Sequence, residues 1–440
     1  MESLLVENEW IGQFFLPDQF ENRFLGRVSF SPEDGVKLSF CILGNDLPPS
    51  SDILHGVLTT GEKCTLVGPF SPTYAGYAVN NGLITRSGTN VFFFFVLGEF
   101  VDKDEMFKEI TFSVTGMQEF FFPRGFKDLV KYSNKPLFRL KTAYGEIEVG
   151  NNAKFGILGK DITSQIYNRN EDALLELKKA FEEIDQRYSN SFFLLKKDIA
   201  YMITLRTSTE STIQELYKRI EEISNLFAIL TYSPVFPETI EIKHFKNSEH
   251  IVMSKVYPTR ILEEKTIKLS KRERSHFHMP ITASKIDLVP IVESWLSLSK
   301  RFSTIVTSLQ HETGLRNEHS LYGEIVLYAT HFEYISLSDG VTNHEKYKYP
   351  VNKYGTVQIE SGLSKVFQTV GEDNFGKGIS ILRNEIAHIG RPPRLLLELS
   401  LSDMCYISQF LQVTILGYVL YTLGVNKEII HEYQNRITPK

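Results

Sequence analysis

Near Pro280 the hydrophobic pattern of the chain changes period, and that switch restricts the fold to a strand-built part followed by a helical part. Between Trp10 and Pro123, short runs rich in aromatic and β-branched residues are cut by Gly, Asn, Asp and Pro: GQFFLP, FLGRVSFS, VKLSFCIL, ILHGVLTT, CTLVGPF, VFFFFVLGEF and EITFSVTG. Successive side chains point to opposite faces of a strand, so these runs predict a sandwich or a strongly curved antiparallel sheet. The stretch Val91 to Leu97 is apolar on both faces and predicts a central strand. After Pro280 the apolar residues recur at three and four positions instead. Leu288, Ile291, Trp295, Leu298, Phe302, Ile305 and Leu309 predict one long helix, and Leu321, Ile325, Tyr328, Phe332 and Ile335 a second. The sets Ile359–Leu363–Val366–Val370 and Phe375–Ile379–Leu382–Ile386 follow, then an apolar helix ending near Gly424, which together predict a five-helix bundle.

From about Pro136 the pattern is mixed. Strand-like PLFRLKT and GEIEV precede a helical stretch, EDALLELKKAFEEIDQRY; strand-like SFFLLKK and YMITLRT follow. A second helix opens with the capping pattern Ser211-x-x-Gln214 and carries Leu216, Ile220, Ile223 and Phe227 on one face. The expected class is therefore α+β, with a β-rich domain at 1–130, a mixed α+β segment at 131–278 packed on or continuous with it, and an all-α bundle at 279–440. A chain of 440 residues exceeds what one core usually serves, in agreement with that division.

The formal charge of −5 provides no global positive field, so any nucleic-acid site has to be local. Cys41, Cys64 and Cys405 are odd in number, far apart and in apolar surroundings, the pattern of buried thiols in a reducing compartment. No C-x-x-C or H-E-x-x-H occurs, and the acidic N-terminus MESLLVENEW has no signal-peptide pattern. The most apolar segment, Ile407 to Gly424, carries Gln409 and Gln412 and is short for a membrane span of about 20 apolar residues, so it predicts a buried helix of a cytoplasmic protein.

The tripeptide RNE occurs at Arg169–Glu171, Arg316–Glu318 and Arg383–Glu385. Only the last stands in a setting that supports chemistry. In LRNEIAHIG, Arg383 and His388 lie roughly 140° apart on a helical wheel. Asn384 and His388 share a face away from the Leu382–Ile386 stripe, and Gly390, Pro392 and Pro393 stop the helix with His388 in its last turn. A histidine exchanges protons near neutral pH, and an arginine keeps its charge and offers several donors to a phosphate. Together they suit metal-free ribonuclease chemistry, with Asn384 orienting either group; the plainer alternative is a solvated arginine and a histidine that complements the helix dipole. Gly376, Ser380, Arg383 and Ala387 form a stripe of small residues around the arginine, suited to close approach of a helix from a second copy or from the same bundle.

Other candidates are weaker. Lys265 to Pro280 concentrates Lys265, Lys268, Lys271, Arg272 and Arg274, either an RNA-backbone contact or a solvated linker. His276 and His278 lack a third metal ligand nearby. Arg391 and Arg394 either extend a phosphate-binding surface or are solvated loop charges, and Glu333 either positions Arg383 or is an exposed helix glutamate.

The run Arg383-Asn384-Glu385-Ile386-Ala387-His388 resembles the R-x4-6-H motif of HEPN ribonucleases, with the polar residue after the arginine that the family favours. WIGQFFLP, LGRVSFSPEDGVKLSF, ILHGVLTTGEKCTLVGPF, VFFFFVLGEF and ITFSVTGMQEFFFP are similar to the N-terminal domain of ApeA-type anti-phage proteins, where that domain precedes a HEPN domain. The resemblance implies a metal-independent endoribonuclease without cofactor, acting in abortive infection, with Arg383, Asn384 and His388 as its catalytic residues. It further implies an RNA substrate such as a tRNA, a homodimer or higher oligomer through the HEPN domain, and a phage-derived trigger. A second reading is a non-catalytic HEPN module for dimerisation and RNA binding beside a ligand-sensing β-domain. The presence of both Arg383 and His388 favours the enzyme, because a binding module needs no proton-transfer group. By the same criterion the Arg316 copy fails, its His319 falling three residues on, and the Arg169 copy has no histidine near it.

Overall fold

The computed structural model of the chain describes residues 3–44, 47–72, 76–80, 83–121, 132–157, 166–188, 194–247, 250–271, 279–309, 318–343, 345–388 and 392–438. Its strands are β1 (Asn8–Phe15), β2 (Phe24–Ser31), β3 (Gly35–Leu43), β4 (Ser51–Leu58), β5 (Lys63–Phe70), β6 (Gly76–Asn80), β7 (Leu83–Phe92), β8 (Phe94–Gly98), β9 (Phe107–Val114), β10 (Phe138–Thr142), β11 (Gly145–Ile157), β12 (Leu194–Ser211), β13 (Pro237–Asn247) and β14 (His250–Pro258). All belong to one antiparallel sheet, ordered β10-β11-β12-β9-β13-β14-β8-β5-β4-β1-β2-β3-β7-β6. Strands from both the first and the second segment of the sequence interleave in it. Helices α1 (Met117–Phe121), α2 (Glu171–Arg187) and α3 (Ile213–Thr231) interrupt the strands. The chain then becomes helical: α4 (Glu264–Ser270), α5 (Leu288–Leu298), α6 (Ser303–Thr307), α7 (Glu318–Ser338), α8 (Glu345–Tyr354), α9 (Val357–Gln368), α10 (Phe375–Ala387), α11 (Leu395–Glu398), α12 (Leu401–Thr422) and α13 (Lys427–Ile437). The class is α+β.

Alternation holds where it was legible: β2 buries Phe24, Gly26, Val28 and Phe30 and turns Leu25 and Arg27 outward. The single strand expected over Val91 to Leu97 does not form. The chain breaks at Phe93, so that Phe92 ends β7 beside β3 while β8 lies between β5 and β14. The Phe93 amide donates to the Val67 carbonyl (2.8 Å), and Gly68, at φ +142°, lets β5 pass so close that a Cβ there would lie 2.8 Å from the Phe93 nitrogen. An apolar run tells that both faces are covered, not that one strand covers them. At the other end of the sheet, a row of alternating charge crosses five strands. Arg139 of β10 meets Glu146 (3.2 Å) and Glu148 of β11; Arg206 of β12 meets Glu148 and, across it, Glu109 of β9 (2.7 Å); Lys243 of β13 meets Glu109 (3.1 Å).

Helix α3 joins the two halves. Its first turn is closed by a reciprocal box in which the Thr212 hydroxyl accepts from the Glu215 amide and the Glu215 carboxylate accepts from the Thr212 amide. The cap thus sits one residue beyond the expected Ser211-x-x-Gln214 pattern, since T-x-x-E overlaps S-x-x-Q in STIQE and a carboxylate is the stronger acceptor. One side of α3 packs on helix α1 through Phe227 against Phe120 and Phe121, and on the sheet through Tyr217 against Phe94 of β8, ring centres 5.8 Å apart. The other side accepts a hydrogen bond from Trp295 of α5 to the Glu222 carbonyl (2.7 Å) and one from the Tyr433 hydroxyl of α13 to the Ile229 carbonyl (2.7 Å). One continuous apolar core runs from the sheet into the bundle.

In the bundle, the helix expected from Leu288 to Leu309 is two helices, α5 and α6, with a turn at residues 299–302. There Arg301 reaches the Tyr418 hydroxyl (2.5 Å) and lies 5.4 Å from the Tyr334 ring centre, contacts that a straight helix would not direct both ways. The periodicity survives because Phe302 and Ile305 remain buried across the break. Helices α8, α11 and α13 lie outside the five expected, and α8 is the consequential one. Helix α12 is long and apolar enough to cross a membrane by length and composition, and it forms the centre of the bundle, buried from Ile407 to Leu420 apart from Gln409. Gln412, 1% exposed, donates to the Tyr232 hydroxyl (2.9 Å) and accepts from the Tyr328 hydroxyl (2.8 Å). Of the three free cysteines only Cys64 is fully buried; Cys41 and Cys405 keep partial exposure.

Thr212→Ala is expected to destabilise the protein by about 1 kcal/mol, and Ser211→Ala by less than about 0.5 kcal/mol. Urea titrations followed by far-ultraviolet circular dichroism separate the two, and equal effects would return the cap to Ser211.

Candidate functional site

Helix α10 carries the last RNE copy. Asn374 starts it by accepting from the Lys377 amide (3.2 Å), and Phe375, Ile379 and Leu382 bury its inner face. It ends at Ala387: His388 is the cap residue, with extended backbone (φ −124°, ψ 102°), its amide still donating to the Asn384 carbonyl (3.1 Å). Sequence spacing put His388 inside the last turn; one residue of extension instead releases its side chain into solvent. The Arg383 side chain is half-buried and donates from Nη1 to Asn384 Oδ1 (3.1 Å). Of the two tasks open to Asn384, the structure shows contact with the arginine. Arg383 Nε is buried and without a hydrogen-bond partner among the described residues. Among those residues no hydrogen bond or ion pair joins the Arg383 and His388 side chains.

Arg383 faces a polar cluster built by α7 and α8. Glu333 of α7 takes a hydrogen bond from the Tyr347 hydroxyl and an ion pair from Lys346 Nζ (2.8 Å), both from the first turn of α8. Ser336 of α7 holds that turn by donating to the Lys346 carbonyl (2.5 Å), and Ser380 of α10 hydrogen-bonds Tyr347. Burial alone would raise the Glu333 carboxyl, but the hydrogen bonds from Lys346 and Tyr347 and the charges of Lys346 and Arg383 outweigh it, so the group is held below its ordinary range. Burial, reinforced by the Glu333 carboxylate, pushes the Tyr347 phenol well above its usual value and keeps it a proton donor. Glu333 thus stands within electrostatic reach of Arg383, while its direct partners are Tyr347 and Lys346. The spacing Tyr347–Pro350–Val351–Tyr354, all buried, was the sequence signal for α8, masked by Pro350 and by the lysines between. His331 lies two residues from Glu333 and so about 200° round α7; burial lowers its pKa, and its Nε2 has no partner among the described residues.

The small-residue stripe divides. Gly376 and Ser380 are buried, Ser380 against Tyr347 of the same chain, whereas Ala387 is exposed beside His388. The remaining expected residues are dispersed. Arg394 donates to the Val370 carbonyl (3.1 Å) and pairs with Glu398 (3.4 Å) and Glu372 (3.8 Å), so its charge is already matched. Lys271 caps α4 beside the sheet, lining a cavity with Gln118 and Thr231. Arg272, Arg274, Arg391 and the pair His276 and His278 lie outside the described residues. Glu385, within the motif, accepts from the Leu396 amide (2.9 Å) and anchors α11. The Arg169 copy has a purely local task, Asn170 capping α2 by accepting from the Asp172 amide (3.0 Å). Of the Arg316 copy, Arg316 and Asn317 lie outside the described residues; the Ser320 hydroxyl donates to Glu324 (2.9 Å) inside the first turns of α7.

Glu333→Gln removes a carboxylate stabilised in the folded state. A depressed folded pKa adds stability that is present above the unfolded pKa of about 4.3 and disappears as pH falls through the folded value. The variant is therefore expected to be less stable than wild type at pH 7, with the gap closing below about pH 4. Thermal melts across pH 3–8, on scales of about one unit per step, measure it; a pH-independent gap would mean that Glu333 is not ionised in this cluster.

The family described as "ApeA N-terminal domain 1" matches residues 9–295 of the chain. No curated protein and no solved structure matches it.

Proposed function

The chain belongs to the ApeA N-terminal domain family and is an anti-phage defence protein, and from that premise we propose that it is a metal-independent endoribonuclease acting by abortive infection. The C-terminal helices would serve as its HEPN nuclease domain, the sheet as its sensor of a phage-derived trigger, and the cytoplasm as its location. The observation that carries the reading is the contrast at the end of α10: a half-buried arginine whose Nε lacks a protein partner, and a histidine released into solvent one residue past the helix. A buried donor without a partner is costly unless a ligand completes it, and a phosphate oxygen is the acceptor a guanidinium fits best.

In this mechanism His388 takes the proton from a ribose 2′-hydroxyl, and the freed oxygen attacks the adjacent phosphorus. The phosphorus–5′-oxygen bond breaks as Arg383, oriented by Asn384, donates to the non-bridging oxygens that gain charge. The leaving 5′-oxygen takes up a proton, and the products are a 2′,3′-cyclic phosphate and a 5′-hydroxyl. Two copies facing each other across the exposed Ala387–His388 end of α10 would complete the site, the His388 of one taking the 2′-hydroxyl proton and the His388 of the other giving a proton to the leaving 5′-oxygen. A structured RNA such as a tRNA is the proposed substrate class.

His388→Ala and Arg383→Ala are each expected to abolish RNA cleavage in vitro and toxicity on expression while leaving the melting temperature near that of wild type. Substitution of Arg316 or His319 should leave cleavage within a few-fold of wild type. End-mapping of cellular RNA after expression decides it: cuts that persist with His388→Ala remove the catalytic assignment. Cleavage is also expected to continue in EDTA with cyclic-phosphate ends, and a requirement for added divalent ions with a pre-folded RNA would refute the mechanism. Ala387→Leu should weaken the dimer in sedimentation and lower cleavage together, since overpacking an interface typically costs about 1–3 kcal/mol.

A further inference from the structure

A cavity of about 540 Å³ lies where the sheet, α3 and α5 meet, well away from α10 in the sequence and built from different elements. Its floor is apolar: Ile147, Leu205, Leu216, Ile223 and Leu296 all line it and are buried. Its rim is hydroxyl-rich and carries Lys218, Arg219 and Lys300. That volume and that division, an apolar slot with a few placed polar groups, are those of a small-molecule site.

One side chain at the rim has no structural use for half of its surface. Tyr144, at the tip of the β10–β11 turn, is 50% exposed, and the Arg219 guanidinium stacks on its ring at 4.3 Å from the centre. The turn that presents it is fixed from several directions. The Thr142 hydroxyl donates to the Gly145 carbonyl (3.1 Å) and accepts from the Tyr144 amide (3.1 Å), while the Ser208 amide donates to the Tyr144 carbonyl (3.0 Å). Gly145, at φ +141°, passes so close to β12 that a Cβ would lie 2.0 Å from the Arg206 carbonyl oxygen. Arg219 is likewise held, its Nη1 2.5 Å from Glu222 Oε2. Glu222 neutralises Arg219, and Glu215 is occupied in the α3 cap. Lys218 lies near enough to Glu221 to act on its carboxyl, but Lys300 makes no ion pair among the described residues. The rim therefore offers an ordered aromatic face together with unmatched positive charge.

We propose that this cavity binds a mononucleotide, with its base against Tyr144 over the apolar floor and its phosphate at Lys300 and Lys218. A base supplies a planar ring for the slot, a ribose supplies hydroxyls for Thr207 and Thr209, which alternate with Leu205 on one face of β12, and a phosphate supplies the anion. A neutral ring or a bare anion would satisfy only one end. Because Leu296 and Lys300 belong to α5 and the turn after it, while Tyr144 and the hydroxyls belong to the sheet, the ligand would touch both halves of the chain.

Isothermal titration of the full chain with AMP, GMP, adenosine and inorganic phosphate tests this without any cleavage assay, so its outcome is independent of the ribonuclease reading. AMP or GMP should bind, with adenosine and phosphate each weaker by about ten-fold or more. Tyr144→Ala should weaken nucleotide binding by about ten-fold, as loss of a stacked base does, and Lys300→Ala should do so comparably, while Tyr144→Phe retains it. Tyr144 and Lys300 are outside the core, so both variants are expected to fold, and melting temperatures confirm it. Failure of both nucleotides to bind, or binding unchanged by Tyr144→Ala and Lys300→Ala, would overturn the proposal.

Discussion

The structure depends on one helix being buried from two sides. From Ser224 to Thr231 every residue of α3 except Asn225 is buried, which a helix lying on a sheet alone would not show. The sheet and the short helix α1 cover one side through Phe94, Phe120 and Phe121, and the bundle covers the other through Trp295 and Tyr433. Each half of the molecule thus supplies the wall that the other half's helix needs. Tyr232, which ends α3 in the left-handed conformation (φ 48°), also receives the hydrogen bond from Gln412 at the centre of α12, so the helix is tied to the bundle by polar as well as apolar contact. The family match ends at residue 295, the buried tryptophan that donates to α3. The matched segment therefore ends inside α5, and reaches the residue by which that helix contacts α3.

Register in the far half of the sheet rests on a different constraint. Strands β10 to β13 include long polar stretches, where hydrophobic alternation specifies pairing weakly. The row Arg139–Glu148–Arg206–Glu109–Lys243 compensates, because a slip by one residue in any of the five strands would set like charges side by side or turn a charge into the core. The carboxylates are more buried than their cationic partners; Glu148 in particular is drawn below its ordinary pKa by Arg206 and Arg139 against the opposing effect of burial. This end of the sheet also carries the Tyr144 turn, so the same register positions the cavity rim.

Much of this was legible from pattern. The change of period at Pro280, the strand runs in the first segment and the apolar stripes of α7, α9 and α10 all follow from side-chain periodicity, which burial enforces. The buried helix expected over Ile407 to Gly424 is there, but α12 begins at Leu401 and its 22 residues are not short for a span, so it was the two glutamines and not the length that told. What escaped were features that periodicity does not encode. A chain can change strand at Phe93 without changing its hydrophobicity, and it can break at residues 299–302 without losing its stripe. The cross-strand charges come from positions more than fifty residues apart, such as Arg206 and Glu148. At the candidate site, Arg383, Asn384 and Glu333 were found by sequence and are brought near one another, while Lys346 and Tyr347 were missed with their helix.

That omission matters physically, because α8 decides what kind of charge Arg383 experiences. Without it, Arg383 would face Glu333 directly, and a carboxylate beside a guanidinium forms a bidentate pair that leaves little for a ligand. With it, the two groups that reach Glu333 first are the Tyr347 hydroxyl and the Lys346 ammonium. The carboxylate still acts on Arg383 through space, which helps to keep a half-buried cation in place, while both donors from α8 engage its Oε1. Arg383 is left with Asn384 as its hydrogen-bonding partner and with Nε unmatched among the described residues. The helix whose stripe is interrupted by lysines and a proline thus supplies the direct partners of Glu333, and Arg383 keeps donor capacity of the kind that a phosphate acceptor would use in the proposed reaction.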